Sequence, residues 1–214
     1  MLIAVLTGDI VRSRRMAPME RRDALKRLDE ALALSGLAED PAPLARQMFR
    51  GDAFQLVLGN PRAGLAAALH LLARLVPPAG RGPALRVALG LGDWDRAGAG
   101  EDPGTWDGEP FRRSGQLLDG MGRPGHHLAI ASPWPAVDAE LAVGCRLADH
   151  IIARWTGEQA RVVDALLGGR TQVEVAADLG ISQSAVAQRH GNAGGRALRA
   201  LVDRYHDLMA MNKL

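Results

Sequence analysis

Two glycine–aspartate pairs constrain the fold of this chain more than any other feature. The first follows an apolar run, in LTGDIVRSRR at residues 6–15, and the second lies in FRGDAF at residues 49–54. The second pair separates two short apolar runs, 45–50 and 54–59, and two such runs joined by a tight turn predict a β-hairpin. A carboxylate at the carboxyl end of a strand also lies where open α/β sheets place their ligand sites.

The other apolar patterns alternate between strand and helix. Predicted strands cover residues 2–7, 45–50, 54–59, 85–92 and 127–131, and predicted helices cover residues 19–35, 63–76, 109–121 and 134–153. Gly8 is expected to close the first strand, and Gly36 to end the first helix. Because only the middle strands are joined as a hairpin, we predict an α+β fold. Its mixed sheet carries helices on one face, in a ferredoxin-like arrangement with extensions.

The C-terminal part of the chain has a different pattern. It contains four helical stretches, 157–167, 171–179, 182–190 and 193–210, and no strand candidate. We therefore place a domain boundary near Trp155, with a first domain at residues 1–153 and a second, all-α domain at residues 154–214.

Composition limits the class of protein. Apolar residues make up 47% of the chain, but no apolar run reaches the roughly 18–20 residues that a membrane span needs. The N-terminus lacks a basic leader and a small-residue cleavage pattern, and the single cysteine, Cys145, cannot form an internal disulfide. These features predict a cytoplasmic protein without a membrane partner.

The net charge of +2 comes entirely from the C-terminal part. Residues 1–153 hold equal numbers of basic and acidic side chains, whereas residues 154–214 hold two more basic than acidic ones. A local cluster of arginines is suited to phosphate contacts, although such residues also occur on solvated helix faces. The cluster consists of Arg189, Arg196, Arg199 and Arg204.

Asp9 and Asp52 are candidate metal ligands. If their strands are neighbours, the two carboxylates and a backbone carbonyl can provide the hard oxygen ligands that Mg²⁺ or Mn²⁺ prefers. Aspartate beside glycine is also common in ordinary turns, and spacing alone leaves both interpretations open.

A family resemblance favours the metal site. The segments TGDIVRS, FRGDAFQLV, RVALGLG and GEPFRRSGQLLD resemble, in the same order, the catalytic core of the class III nucleotide cyclases. The chain is closer still to the SatD family, bacterial proteins that carry such a core next to a helix-turn-helix. The resemblance covers roughly residues 2–150. It implies a domain of the nucleotide cyclase type, and a homodimer, since cyclase sites form between two chains.

The resemblance also implies roles for individual residues. Asp9 and Asp52 would bind the Mg²⁺ or Mn²⁺ ions that hold a nucleoside triphosphate or other nucleotide, with help from the Ile10 carbonyl. Val11, Arg12 and Ser13 would lie near the phosphates. Further candidates for phosphate or base contacts are Arg50, Gly51, Arg112, Arg113 and Ser114, although an ordinary solvated surface explains such residues equally well.

The sequence departs from the cyclases where their chemistry is carried out. Met48 occupies the position of the lysine that cyclases use for purine recognition. FRRSGQ, with Arg112 and Gln116, replaces the motif that supplies an asparagine and an arginine to the transition state. Loss of a transition-state cation removes a large electrostatic contribution. We therefore expect binding of nucleotide and metal rather than turnover.

TQVEVAADLGISQSAVAQR, residues 171–189, has the pattern of a helix-turn-helix. Gly180 is predicted to adopt the positive φ of the turn, Ser182 to cap the second helix, and Val186 to pack back on the first. The segment also resembles the DNA-binding regions of sigma factors and response regulators. Positions expected to contact base edges or phosphates are Ser182, Gln183, Ser184, Gln188 and Arg189.

Three functional hypotheses follow. The first is a DNA-binding regulator whose N-terminal domain senses a nucleotide with a divalent metal. The second is a metal-dependent nucleotidyl cyclase or related nucleotide-converting enzyme with an accessory tail. In the third, a structural or interaction protein, the aspartates are ordinary caps and turn residues. Its tail is a helical bundle that only mediates dimerisation or docks on the first domain.

Overall fold

A five-stranded mixed sheet and eight α-helices make up the part of the chain that the structure describes. The structure is a computed structural model that describes residues 1–33, 43–49, 51–95, 100 and 102–212. The strands are β1 (Leu2–Ile10), β2 (Ala45–Phe49), β3 (Ala53–Leu58), β4 (Leu85–Asp93) and β5 (Leu128–Ala131). The helices are α1 (Pro18–Ala33), α2 (Gly64–Arg74), α3 (Glu109–Gly120), α4 (Pro135–Ile152), α5 (Gly157–Leu167), α6 (Gln172–Leu179), α7 (Gln183–Asn192) and α8 (Gly195–Met211). The predicted α+β class and the order of the elements are confirmed.

The sheet has the strand order β2-β3-β1-β4-β5. Neighbouring strands are antiparallel except β4 and β5, which are parallel. The central strand β1 pairs with β4 along its whole length, from Leu2 opposite Asp93 to Ile10 opposite Leu85. The predicted hairpin between β2 and β3 is confirmed, and Gly51 adopts a φ of 82° in its turn.

Strand β1 is longer than predicted, because Gly8 lies inside it rather than at its end. A Cβ at Gly8 would lie 2.3 Å from the carbonyl oxygen of Arg86 and 2.4 Å from the ring of Phe54. Glycine is therefore required by close packing in the sheet. The consequence is that Asp9 is a strand residue with a defined facing direction. The predicted end of the first helix at Gly36 lies outside the described residues.

Helices pack on both faces of the sheet, so the prediction of helices on one face is wrong. Alternate residues of β1, such as Ala4 and Leu6, belong to the large core cluster that also contains buried residues of α1, α2 and α4. The intervening residues Ile3 and Val5 pack instead with Phe111 of α3. This second face also carries Thr7 and Asp9.

The C-terminal helices share the main hydrophobic core with the sheet. Trp155 is fully buried and its indole N–H donates to the Ala193 carbonyl (2.8 Å). The hydroxyl of Tyr205 donates to the carbonyl of Pro61 (2.6 Å). The boundary predicted near Trp155 thus falls between elements that are packed on one another, and the independence of residues 154–214 stays a prediction.

None of the helices in the described ranges combines the length and apolar character that crossing a bilayer requires.

Candidate functional site

Asp9 and Asp52 lie at the same end of the sheet on adjacent segments of chain. Asp9 is paired opposite Ala53, the residue that follows Asp52. The Ile10 amide donates a hydrogen bond to the backbone carbonyl of Asp52 (3.1 Å), so this end of β1 is fixed to the hairpin turn. The structure therefore brings the backbones of the two predicted ligands together at one end of the sheet.

The carboxylate of Asp9 is paired with Arg86 of β4. The guanidinium Nε and Nη2 atoms lie 2.8 and 2.5 Å from the two carboxylate oxygens, and Nη1 donates to the Met121 carbonyl (2.7 Å). The hydrogen bond to Asp9 raises the pKa of Arg86 further above its usual value. Sequence reasoning missed Arg86, although a charged residue inside the apolar run LRVALGLG was the available signal.

Asp52 is held by the segment that follows β1. The hydroxyl of Ser13 donates to its carboxylate, and Ser13 is 4% exposed. The Val11 amide donates to the Ala84 carbonyl (2.9 Å) and is therefore already used. Arg12 is exposed and adopts a φ of 58°, a left-handed conformation that is uncommon for residues other than glycine. Such conformations cluster at ligand sites.

The neighbourhood of the two aspartates is rich in arginine. Exposed Arg14 and Arg15 follow Arg12 in a short 3₁₀ turn, Ser13–Arg15. A Cβ added at Gly51 would lie 3.4 Å from a guanidinium nitrogen of Arg21, so this α1 side chain reaches the hairpin turn. A polyanion is attracted to such a cluster, because Arg12, Arg14 and Arg15 form no ion pair with any described residue. The predicted contact Arg50 lies outside the described residues.

Helix α3 carries three of the predicted nucleotide contacts, and each of them is engaged within the protein. The Arg113 guanidinium donates to the Leu91 carbonyl (2.9 Å) and pairs with Glu109 (2.7 Å). Ser114 is fully buried, and its hydroxyl bonds with Thr7 Oγ1 (2.8 Å) and donates to the Phe111 carbonyl (3.0 Å). Arg112 is half exposed at the start of α3 and pairs with Asp107 (2.5 Å). Since Arg86 contacts the other end of α3, Arg112 lies roughly 13 Å along the helix from that point.

The donor set at the sheet end suits a hard divalent cation. Two carboxylates, a hydroxyl and backbone carbonyls are oxygen ligands, and Mg²⁺ commonly uses one or two carboxylates together with substrate phosphates and water. Binding at Asp9 requires exchange of its Arg86 partner. Among the described residues, no group of three or more histidine, cysteine, aspartate or glutamate side chains is placed to hold a metal.

Helices α6 and α7 form a tight pair with well-defined ends. Thr171 and Glu174 make a capping box at the start of α6, and Gly180 ends it with a φ of 63°. The side chain of Ser182 accepts a hydrogen bond from the Ala185 amide (3.1 Å) at the start of α7. Val186 is fully buried in a small core with Val175 and Val162 of α5. The predicted turn and cap are confirmed.

The exposed surface of α7 is polar. Ser182, Gln183, Ser184 and Gln188 are all exposed, and Ser182 and Ser184 bond to each other (2.9 Å). Arg189 points elsewhere, because its guanidinium forms an ion pair with Glu158 of α5 (3.0 Å). The four predicted polar contacts therefore share a solvent-facing surface, whereas Arg189 is engaged within the protein.

The predicted arginine cluster is dispersed over several surfaces. Arg204 pairs with Glu140 of α4 (2.6 Å), and Arg199 donates to the Leu166 carbonyl (3.1 Å). Arg196 is exposed near the start of α8. Only part of the cluster can therefore contact a ligand bound at α7.

Comparison with known proteins gives no match to a family model, to a curated protein or to a solved structure.

Proposed function

We propose that this protein is a DNA-binding transcriptional regulator of the SatD type, with residues 154–214 as a helix-turn-helix domain and α7 as its recognition helix. The observation that carries this proposal is the exposed polar surface of α7, which is held by the capped turn at Gly180 and Ser182. Gln183, Ser184 and Gln188 have the side chains that hydrogen-bond to base edges in a major groove.

The sheet domain, residues 1–153, is proposed to be a ferredoxin-like domain of the nucleotide cyclase type that binds an effector. The antiparallel order β2-β3-β1-β4 supports this topology, with β5 as an addition. The effector is a nucleoside triphosphate or another nucleotide. Its phosphates are attracted by the arginines that follow β1 and by Arg86.

Asp9 and Asp52 would hold Mg²⁺ or Mn²⁺, together with the Ile10 carbonyl. When bound, the cation would neutralise phosphate charge and bridge the ligand to the two carboxylates. Ser13 orients the Asp52 carboxylate, and Arg86, which neutralises the Asp9 carboxylate in the absence of a cation, would be exchanged for the cation.

A homodimer explains two features of this arrangement. Arg112 is far from the aspartates of its own chain, and a second chain can bring its α3 to them. Two copies of α7 also double the phosphate contacts, which compensates for the few free arginines near this helix. We propose that the dimer acts in the cytoplasm and changes the spacing of its recognition helices when the nucleotide binds.

The experiment is a selection from a library of randomised DNA duplexes with the full chain. Wild-type protein is expected to enrich a defined sequence, and the Gln183→Ala/Gln188→Ala variant to lose that enrichment while it unfolds at the wild-type temperature. Equal enrichment by both proteins, or none by wild type, would contradict the proposal.

A metal-dependent nucleotidyl cyclase is the second candidate, because Asp9 and Asp52 lie together at one end of the sheet. It predicts that the protein converts a triphosphate in the presence of Mn²⁺ or Mg²⁺ and that Asp9→Asn/Asp52→Asn abolishes the conversion. Mass spectrometry of the products distinguishes this enzyme from a sensor, which binds the same ligand without product.

A further inference from the structure

A large cleft lies between the helices that cover the sheet and the C-terminal helices. Its volume is about 740 Å³, within the range of small-molecule sites. Residues from α1, α2, α5 and α6 line it. Helices α1 and α2 pack on the face of the sheet opposite to the one that carries Asp9, and α5 shares their core, so the cleft is separate from the proposed nucleotide site.

Four arginines from different elements line the cleft, and two of them have no carboxylate partner among the residues that the structure describes. They are Arg27, Arg74, Arg161 and Arg170. Arg74 pairs with Asp164, and Arg170 pairs with Asp178. Across the ranges that the structure describes, no ion pair is formed by Arg27 or by Arg161.

Each carboxylate that lines the cleft, in contrast, already has a basic partner, the weakest pair being Glu30 with Lys26 at 3.8 Å. Asp164 is paired with Arg74 and His70, and Asp178 with Arg170. Glu158 is paired with Arg189, and Glu30 with Lys26. The charge that remains available to a ligand is therefore positive, and it lies on the guanidinium groups of Arg27 and Arg161.

The Arg27 guanidinium is positioned by the protein. Its Nη1 donates to the Val76 carbonyl (3.0 Å), which fixes the side chain against the loop after α2. The buried Asp164, held by His70 and Arg74, similarly fixes the α2–α5 wall of the cleft. A site whose charged groups are preorganised binds its ligand with less ordering cost.

Apolar side chains complete the lining. Val76 and Pro78 contribute from the loop after α2, and Val175 and Leu179 from α6. A ligand that fits this surface therefore combines an anionic group with an apolar body.

We propose that the cleft binds a small organic anion, whose phosphate or carboxylate group contacts Arg27 and Arg161 and whose apolar part lies against Pro78 and Leu179. The bound anion contacts the helices over the sheet and also α6. Because α6 is the first helix of the proposed helix-turn-helix, occupancy alters DNA affinity; this last consequence rests on the proposed function.

The test uses 8-anilinonaphthalene-1-sulfonate, an apolar anion that becomes fluorescent when bound, with the folded full-length chain. Wild type is expected to bind one equivalent. Arg161→Ala and Arg27→Ala weaken binding about tenfold, since each removes a charge-assisted hydrogen bond. Arg161→Glu abolishes binding. Arg22→Ala, a change of an exposed arginine on α1 outside the cleft, is the matched control and leaves binding unchanged.

Competition identifies the anionic group. Displacement of the dye by phenyl phosphate assigns a phosphate ligand, and displacement by benzoate assigns a carboxylate ligand. Displacement by neither compound, or equal dye binding by wild type, Arg161→Ala and Arg161→Glu, would overturn the proposal. The thermal unfolding temperature of each variant shows whether it is folded, which separates dye binding in the cleft from dye binding to unfolded protein. Since the dye assay needs no DNA, its result is independent of the proposed DNA-binding function.

Discussion

The end of the sheet at Asp9 and the exposed surface of α7 are both polar, but their side chains are used differently. At the sheet end, Asp9 is bound by Arg86 and Asp52 by Ser13. On α7, Gln183 and Gln188 extend into solvent without a partner inside the described protein. The carboxylates at the sheet end are hydrogen-bonded within the protein, whereas the side chains on α7 present free hydrogen-bonding groups to solvent.

This difference indicates two kinds of ligand. A ligand at the sheet end must replace existing contacts, so a compact and highly charged one, such as a metal–polyphosphate complex, is favoured over a neutral molecule. A ligand at α7 displaces only water and can be a large, flat or grooved partner such as DNA. Four predictions concern these two regions, the core that joins them and a buried carboxyl group outside them, from the largest expected effect to the smallest.

The largest effect is expected from Trp155→Ala, which tests whether the two regions share one core. Trp155 is fully buried and its indole bonds to Ala193. Removal of such a side chain costs roughly 3–5 kcal/mol. Urea unfolding should show that loss of stability in a single transition. Far-UV circular dichroism and hydrogen exchange of the sheet amides should both report the same transition. Loss of structure confined to residues 154–214 would show that the regions are independent.

Substitution of α7 side chains should have the next largest effect. Gln188→Ala is expected to weaken specific DNA binding by about 1–3 kcal/mol, because a side chain that contacts a base edge contributes that much to discrimination. Arg189→Ala should weaken it less, since Arg189 is paired with Glu158. Fluorescence anisotropy on a selected duplex measures both. The reverse order of effects would show that Arg189 leaves Glu158 to contact DNA.

Arg86→Gln should change metal binding at the sheet end. The change frees the Asp9 carboxylate, so binding of Mn²⁺ alone is expected to strengthen by up to about tenfold. Calorimetry with manganese chloride measures this. Arg46→Gln, on the exposed part of β2, is the control and leaves the affinity unchanged. An unchanged or weaker affinity in Arg86→Gln would contradict competition between the guanidinium and the cation.

The smallest effect is expected from Asp149, a buried carboxyl group of α4 on the face of the sheet opposite to Asp9. Asp149 Oδ1 accepts hydrogen bonds from the amides of His127 and Leu128 (both 3.0 Å), and burial raises the pKa of this carboxyl group. The folded protein then binds the proton of Asp149 more tightly than the unfolded chain does. The free energy of unfolding therefore falls as pH rises from the pKa of this group in the unfolded chain to its pKa in the folded protein.

Comparison with Asp149→Asn isolates this contribution. The free energy of unfolding of wild type, minus that of the variant, should fall as pH rises above 4 and then level off. Urea titrations between pH 4 and pH 7 measure the difference. A difference that grows with pH would show that Asp149 is stabilised as a carboxylate.

Local signals explain which parts were predictable from the sequence. Gly180 and Ser182 determine the turn between α6 and α7 through their own backbone and side-chain preferences, and both were identified correctly. Gly8 was misassigned as a strand end because the ring of Phe54 and the backbone of Arg86, which exclude a side chain there, are distant in sequence.

The hydrogen-bond partners of Asp9 and Asp52 could not be predicted from the residues that neighbour them in sequence. Arg86 and Asp9 are 77 residues apart, and Ser13 and Asp52 are 39 residues apart. Strand pairing brings these side chains together, and no spacing rule links them. The burial of Ser114 and the position of Arg112 depend in the same way on which face of the sheet α3 covers.

The central claim is that a metal–nucleotide complex at Asp9 and Asp52 controls DNA binding by α7. The most direct measurement is the affinity of wild type and of Asp9→Asn/Asp52→Asn for a selected duplex, with and without manganese and each nucleoside triphosphate. The account predicts that one nucleotide changes the wild-type affinity several-fold and leaves that of the double variant unchanged. An identical response of both proteins to every nucleotide would contradict it.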